Sequence, residues 1–155
     1  TTVIKCANGE TVVVSYDTNS PRPYSLNFRV QGTDGLWMVD NDSIYIEGVS
    51  PEPHRWESAQ PFLEKYDHPL WKRFEDQAAG SGHGGMDFFI VRAYIESLKR
   101  NVPPPIDVYD AVSMSVISSL SEQSITNRSS LVEFPDFTRG KWKTNARIFG
   151  LNDEF

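Results

Sequence analysis

Along the first 49 residues, apolar and polar positions alternate with a period of two. Leu26, Phe28 and Val30 alternate with Asn27, Arg29 and Gln31, the pattern of a sheet with one packed and one wetter face. Two β-branched runs, "TVIKCA" and "TVVVSYD", are separated by "NGE". Asn8-Gly9 between such runs predicts a hairpin, because both residues tolerate positive φ. "PYSLNFRVQG", "LWMVD" and "SIYIEGV" follow, divided by "TDG" and "ND". The pattern predicts about five strands in an antiparallel meander.

From residue 50 the period changes. Prolines 51, 53, 61 and 69 break the chain into short helical pieces and turns. Pro69 fits the first turn of a helix over "LWKRFEDQAA", with Gly80 past its end. Trp56, Phe62, Tyr66, Trp71 and Phe74 are the expected anchors of this segment. A clear helix is predicted over 85–101. Its Met86, Phe89, Ile90, Ala93, Tyr94 and Ser97 form one stripe, with Arg92, Glu96, Lys99 and Arg100 opposite. "VPPP" forces an extended link to a second helix over 107–123, for which Asp107 and Asp110 suit the cap and first turn. "LVEF" reads as an edge strand, and 135–155 as an irregular tail. Strands first and helices later predict an α+β fold, an open, predominantly antiparallel sheet with helices packed on one face. The alternation of a doubly wound nucleotide fold is missing.

Composition refines this picture. A chain of 155 residues fits one domain and is long enough to bury roughly 70% of its unfolded surface. A net charge of −6 argues against nucleic acid as a partner. No apolar run approaches the ~18 residues of a membrane span. One cysteine, Cys6, cannot form an internal disulfide, and His54, His68 and His83 lack metal-ligand spacing. The chain opens without Met, directly in strand pattern, as a piece cut from a longer protein would. Tag removal or processing would also expose Thr1.

Candidate chemistry begins at "GSGHGGMDFF", where Gly80, Gly82 and Gly85 fit G-x-G-x-x-G. A dinucleotide turn needs a strand before it, a helix after it and an acidic residue about 20 positions on. Here the preceding segment is helical, and Arg100 stands 20 positions past Gly80. The run is therefore not a nucleotide turn. Glycines do allow close backbone approach at a helix start with unpaired N–H groups. His83 and Asp87 flanking that start fit a sugar-hydroxyl site. They fit equally a tight helix entry with Asp87 as dipole partner. In "NSPRPYS", Arg22 and Tyr24 lie among prolines at the entry of a strand. They suit either a grip on a sugar ring or a rigid loop with a surface ion pair.

In combination, "DTNSPRPYSLNFRVQGTDG", "SIYIEG", "LEKYDHPLWKRF", "GHGGMDFF", "PPIDVYDAVSMSVISSLSEQSI" and "FPDFTRGKW" resemble the C-terminal half of NAD-dependent family 109 glycoside hydrolases. These are α-N-acetylgalactosaminidase-like members of the Gfo/Idh/MocA oxidoreductase family. The resemblance covers essentially the whole chain, in order. It implies that 1–155 is a single C-terminal substrate-binding and oligomerisation domain. The N-terminal Rossmann domain, which would hold NAD, is absent from this chain, so the chain alone would bind no NAD and be inactive. A homo-oligomer through the exposed sheet face and a carbohydrate substrate are implied, with neither nucleic acid nor membrane as partner. The implied reaction oxidises the sugar at C3, eliminates the anomeric group, adds water and returns the hydride, without the usual carboxylate pair. Tyr24 matches a tyrosine of the sugar site, as a substrate contact assisting proton transfer, with Arg22 holding the loop or a hydroxyl. His83 and Asp87 match positions for sugar binding or positioning. Tyr109 and Asp110 would cap or pack the second helix. A sugar dehydrogenase of the same family, and a non-catalytic carbohydrate-binding or assembly module, are the alternatives.

Overall fold

Two β-branched runs form the first hairpin. Strands β1 (Thr2–Lys5) and β2 (Thr11–Val14) pair antiparallel with Thr2 opposite Val14 and Lys5 opposite Thr11. The Gly9 N–H donates to the Cys6 carbonyl (3.1 Å) and the Cys6 N–H to the Glu10 carbonyl (2.8 Å). Of the Asn-Gly pair only Gly9 has positive φ, 105°, so the link is a wider turn than a two-residue one needing both. The computed structural model describes residues 1–145 and 154–155. They fall into two units, Thr1–Val14 with Pro69–Phe155, and Ser15–His68.

In the second unit, β3 (Arg29–Gln31), β4 (Gly35–Met38), β5 (Ser43–Ile46) and β6 (Glu57–Ser58) make a four-stranded antiparallel sheet in sequence order. Leu36 pairs with both Gln31 and Tyr45, and Ile44 with both Trp37 and Glu57. A short helix, α1 (Gln60–Tyr66), follows with Pro61 in its first turn. The strands thus form two small sheets instead of one five-strand meander. Pro21 and Pro23 remove ladder donors, and only three residues of "PYSLNFRVQG" pair. Residues 131–134 form no strand among the described residues.

In the first unit, α2 (Pro69–Ala78) starts at its proline and is followed by Gly80 at φ 85°. Helix α3 (Met86–Arg100) has Gly85 and Asn101 as its caps. Asn101 is left-handed, with Val102 N–H returning to the Ser97 carbonyl, the Schellman way of satisfying a last turn. Helix α4 (Val108–Thr126) runs one turn further than predicted. Its capping box is complete: Asp107 accepts from the Tyr109 and Asp110 N–H groups, and Asp110 accepts from the Asp107 N–H. Asp107→Ala is expected to lower stability by about 1 kcal/mol, read as a drop in urea midpoint at unchanged slope. An unchanged midpoint would show that this cap contributes nothing. Among the described residues, four helices and two antiparallel sheets give the α+β class predicted.

Packing follows prediction only in part at α3, where Phe89, Ala93 and Ser97 of the predicted stripe are covered. Its Met86, Ile90 and Tyr94 are 54%, 63% and 56% exposed. Arg92, placed by pattern on the polar side, instead lies over the Phe74 ring of α2 at 4.4 Å. Trp71 stacks on Phe89 at 4.8 Å and Phe74 meets Phe88 at 6.1 Å. An aromatic surface on α2 thus selects the Phe88-Phe89-Arg92 side of α3, since a guanidinium is attracted to ring faces. Glu96 lies beside Lys99, whose donated hydrogen bond holds its carboxyl below the ordinary value. Phe74 is buried and Trp71 half-buried, whereas the expected anchors Trp56 and Tyr66 are exposed.

Burial is lower than the chain length leads one to expect. Among the described residues the buried apolar set is Ala59, Phe74 and Ala78. The chain exposes 12766 Å². No helix among the described residues is long and apolar enough to cross a membrane.

Candidate functional site

The loop before β3 is built to present side chains. Asp17 accepts from the backbone N–H groups of Asn19 and Ser20 (3.2 and 3.4 Å), the Asx geometry that starts a turn. At the other end, the Ser25 hydroxyl donates to Asp40 and accepts from the Asn27 N–H. Pro21 and Pro23 fix φ between these two pins. Arg22 and Tyr24 project from this stretch, and Tyr24 is 90% exposed. Neither makes an ion pair or side-chain hydrogen bond among the described residues. Among the described residues, Arg22 thus has no acidic partner of the kind that sequence allowed. The strand begins only at Arg29, so both residues sit on the loop itself and not at a strand entry.

His83 and Asp87 come together in the other unit. Residues His83–Gly85 form a 3₁₀ turn that leads into α3. His83, Gly84 and Gly85 have φ of 54°, 68° and 103°, a left-handed run that glycine adopts freely. It swings the His83 Nδ1 to 2.9 Å from the Asp87 Oδ1. A Cβ on Gly82 would overlap the Asp87 carboxylate, so this glycine makes the room in which the carboxylate sits. In the neutral tautomer that donates from Nδ1 to the carboxylate, Nε2 is the acceptor. The His83 side chain is 75% exposed.

The glycine run is thereby explained without a nucleotide. It is flanked by α2 and α3, and the Asp87 carboxylate occupies the α3 N-terminus, where a pyrophosphate would meet like charge. These residues do not fit a dinucleotide. Arg22 with Tyr24, and His83 with Asp87, belong to different units. Asp110 caps α4 as predicted, while the Tyr109 ring is 43% exposed.

Supports that the sequence reading passed over include Asp17, Ser25, Asp40 and Gly82. "DTNS" carried a readable Asx signal, but the Ser25–Asp40 bond spans 15 residues and had none. A further pocket of about 250 Å³ between α2 and α3 includes Arg92, Glu96 and Arg100 among its lining. Phe155 lies in it, its ring 5.3 Å from that of Phe74 and its main-chain oxygen held by Arg100. No group of three or more His, Cys, Asp or Glu suited to a metal gathers among the described residues.

Comparison with known proteins agrees with the motif order. The glycosyl hydrolase 109 C-terminal domain profile matches residues 1–144. A glycosyl hydrolase family 109 protein of Stenotrophomonas maltophilia is 54% identical over the whole chain. One from Parabacteroides distasonis is 55% identical over 97% of it. An alpha-N-acetylgalactosaminidase of Tannerella forsythia is 51% identical over 97%. The chain spans only 34%, 32% and 32% of these relatives' lengths, a third and not the half that its motifs suggested. By the profile match and the identity along its whole length, the chain belongs to glycosyl hydrolase family 109, as a C-terminal part of it.

Proposed function

We propose that this chain supplies the sugar-binding side of an NAD-dependent α-N-acetylgalactosaminidase. The observation that carries this reading is the doubly pinned loop presenting Arg22 and Tyr24 with their polar groups uncommitted. A phenol and a guanidinium on a rigid loop suit a ring with several hydroxyls, because little ordering entropy is lost when it binds. Tyr24 holds or moves a proton at a sugar oxygen, and Arg22 donates to a neighbouring hydroxyl. His83, held by Asp87 in the other unit, is a separate candidate for a sugar hydroxyl. NAD, held by polypeptide beyond this chain, supplies the transient oxidation of the sugar. The kinship with an enzyme named alpha-N-acetylgalactosaminidase supports the substrate class.

The test uses the full-length parent, freed of bound nucleotide and given an aryl α-N-acetylgalactosaminide. Release of the aryl group is expected only after NAD⁺ is added back, with no lasting rise in NADH absorbance. Turnover without NAD⁺ would refute the cofactor assignment. NADH accumulating with free sugar would instead make the parent a sugar dehydrogenase.

A further inference from the structure

Tyr24 stands between two restraints of different kinds. Upstream, Pro21 and Pro23 fix φ and confine Ser20 and Arg22 to extended backbone, while the Asp17 bonds to the Asn19 and Ser20 N–H groups are local. They stiffen the segment without fastening it to the sheet. Downstream, the Ser25 hydroxyl accepts from the Asn27 N–H at 2.9 Å and donates to the Asp40 carboxylate 15 residues on. Asp40 lies in the turn from β4 to β5. That turn is closed by the Asp42 N–H on the Val39 carbonyl (3.0 Å). It is tied to its neighbours by the Val39 N–H on the Phe28 carbonyl (3.0 Å) and the Ala59 N–H on the Asp42 carbonyl (2.9 Å). All of these bonds lie within the Ser15–His68 unit.

We infer that Asp40 is a positioning residue of the sugar site, acting through Ser25 on Tyr24. The inference rests on the sugar-binding reading of Tyr24 and assigns how that side chain is aimed. Pro23 sets the chain direction on one side of Tyr24, and Ser25, the next residue, is fastened to the sheet on the other. A hydroxyl donating to an ionised carboxylate makes a stronger bond than a neutral pair, so one such bond anchors a loop that has no strand partner. Misplacing a reacting group by about 1 Å costs on the order of 100-fold in rate. Losing one of two restraints, with the proline kept, is expected to cost about 10-fold.

Kinetics of the full-length parent with NAD⁺ and an aryl α-N-acetylgalactosaminide test it. Asp40→Ala and Ser25→Ala are each expected to lower kcat/KM about 10-fold at unchanged unfolding midpoints, and the double variant no further. Asp40→Asn keeps an acceptor oxygen for the Ser25 hydroxyl and is expected to recover most of the loss. The loss divides between kcat and KM as that of Tyr24→Phe does. On a Tyr24→Phe background, Asp40→Ala costs less than about 2-fold more. Two variants of one bond guard against either failing to fold. Parent-like kinetics for both, with Tyr24→Phe impaired, would overturn the positioning role and leave the sugar reading standing. A full loss on the Tyr24→Phe background would overturn it as well, because Asp40 would then act elsewhere. Parent-like kinetics for Tyr24→Phe itself would remove the sugar reading and this inference with it.

Discussion

Replacing Gly85 with alanine in the full-length parent is expected to lower stability by about 3 kcal/mol. Gly85 sits at φ 103°, ψ −13°, a conformation that costs an L-residue about 1–2 kcal/mol. The added Cβ would lie 3.2 Å from the Trp71 ring, and 3.3 Å from both the Ala78 Cβ and its carbonyl oxygen. None of these yields easily, since Trp71 is stacked on Phe89 and Ala78 is 1% exposed within α2. Strain and overlap therefore add. Gly82→Ala provides the contrast. Gly82 has an ordinary φ of −57°, and the atoms nearest its new methyl group belong to the Asp87 side chain, whose carboxylate is its mobile end. That variant is expected to lose less than about 1 kcal/mol while releasing His83 from Asp87. Denaturant midpoints of the two variants check both statements. A Gly85→Ala protein as stable as the parent would show that the helix entry rearranges without cost.

Some of this architecture was legible because its causes are local. Pro69, Gly80, Asn101 and the Asp107–Asp110 box each fix a helix end through groups a few residues apart. The strands from Arg29 to Ile46 follow from alternation and short polar links. The orientation of α3 was not legible, because it depends on which of two faces meets α2. Pattern favours the Met86–Phe89–Ile90–Ala93–Tyr94–Ser97 stripe as the packed one, and of it Phe89, Ala93 and Ser97 are covered while Met86, Ile90 and Tyr94 are exposed. The contact actually made is Phe88, Phe89 and Arg92 on the Trp71–Phe74 surface. Amphipathicity tells which side is apolar, not which neighbour covers it. Where two-thirds of the relatives' length lies elsewhere, the two diverge. The same limit explains the candidate site. The glycine run announced a close approach, and Gly82 with Asp87 is the approach found. The Ser25–Asp40 bond that steadies the Tyr24 loop joins two segments with no mark in either.

Tyr24→Phe in the full-length parent is expected to reduce kcat/KM on an α-N-acetylgalactosaminide by about 100-fold, with the unfolding midpoint unchanged. The ring is 90% exposed, so removing its hydroxyl disturbs no packing, and any kinetic loss belongs to the site. Phenylalanine keeps the apolar surface that can lie against the sugar ring and deletes only the oxygen. How the loss divides between the constants identifies the role of that oxygen. A fall in kcat at constant KM means that the hydroxyl acts in the transition state, as a proton-transferring group does. A rise in KM at constant kcat means that it only holds the ground-state sugar. His83→Ala separates the second pair in the same assay. Altered kcat/KM with an unchanged midpoint would place His83 on the substrate, whereas lowered stability with intact kinetics would make its bond to Asp87 part of the helix entry alone. Unchanged kinetics for Tyr24→Phe would remove the tyrosine from the site, leaving the pinned loop without its principal group and the sugar-binding reading without the observation that carries it.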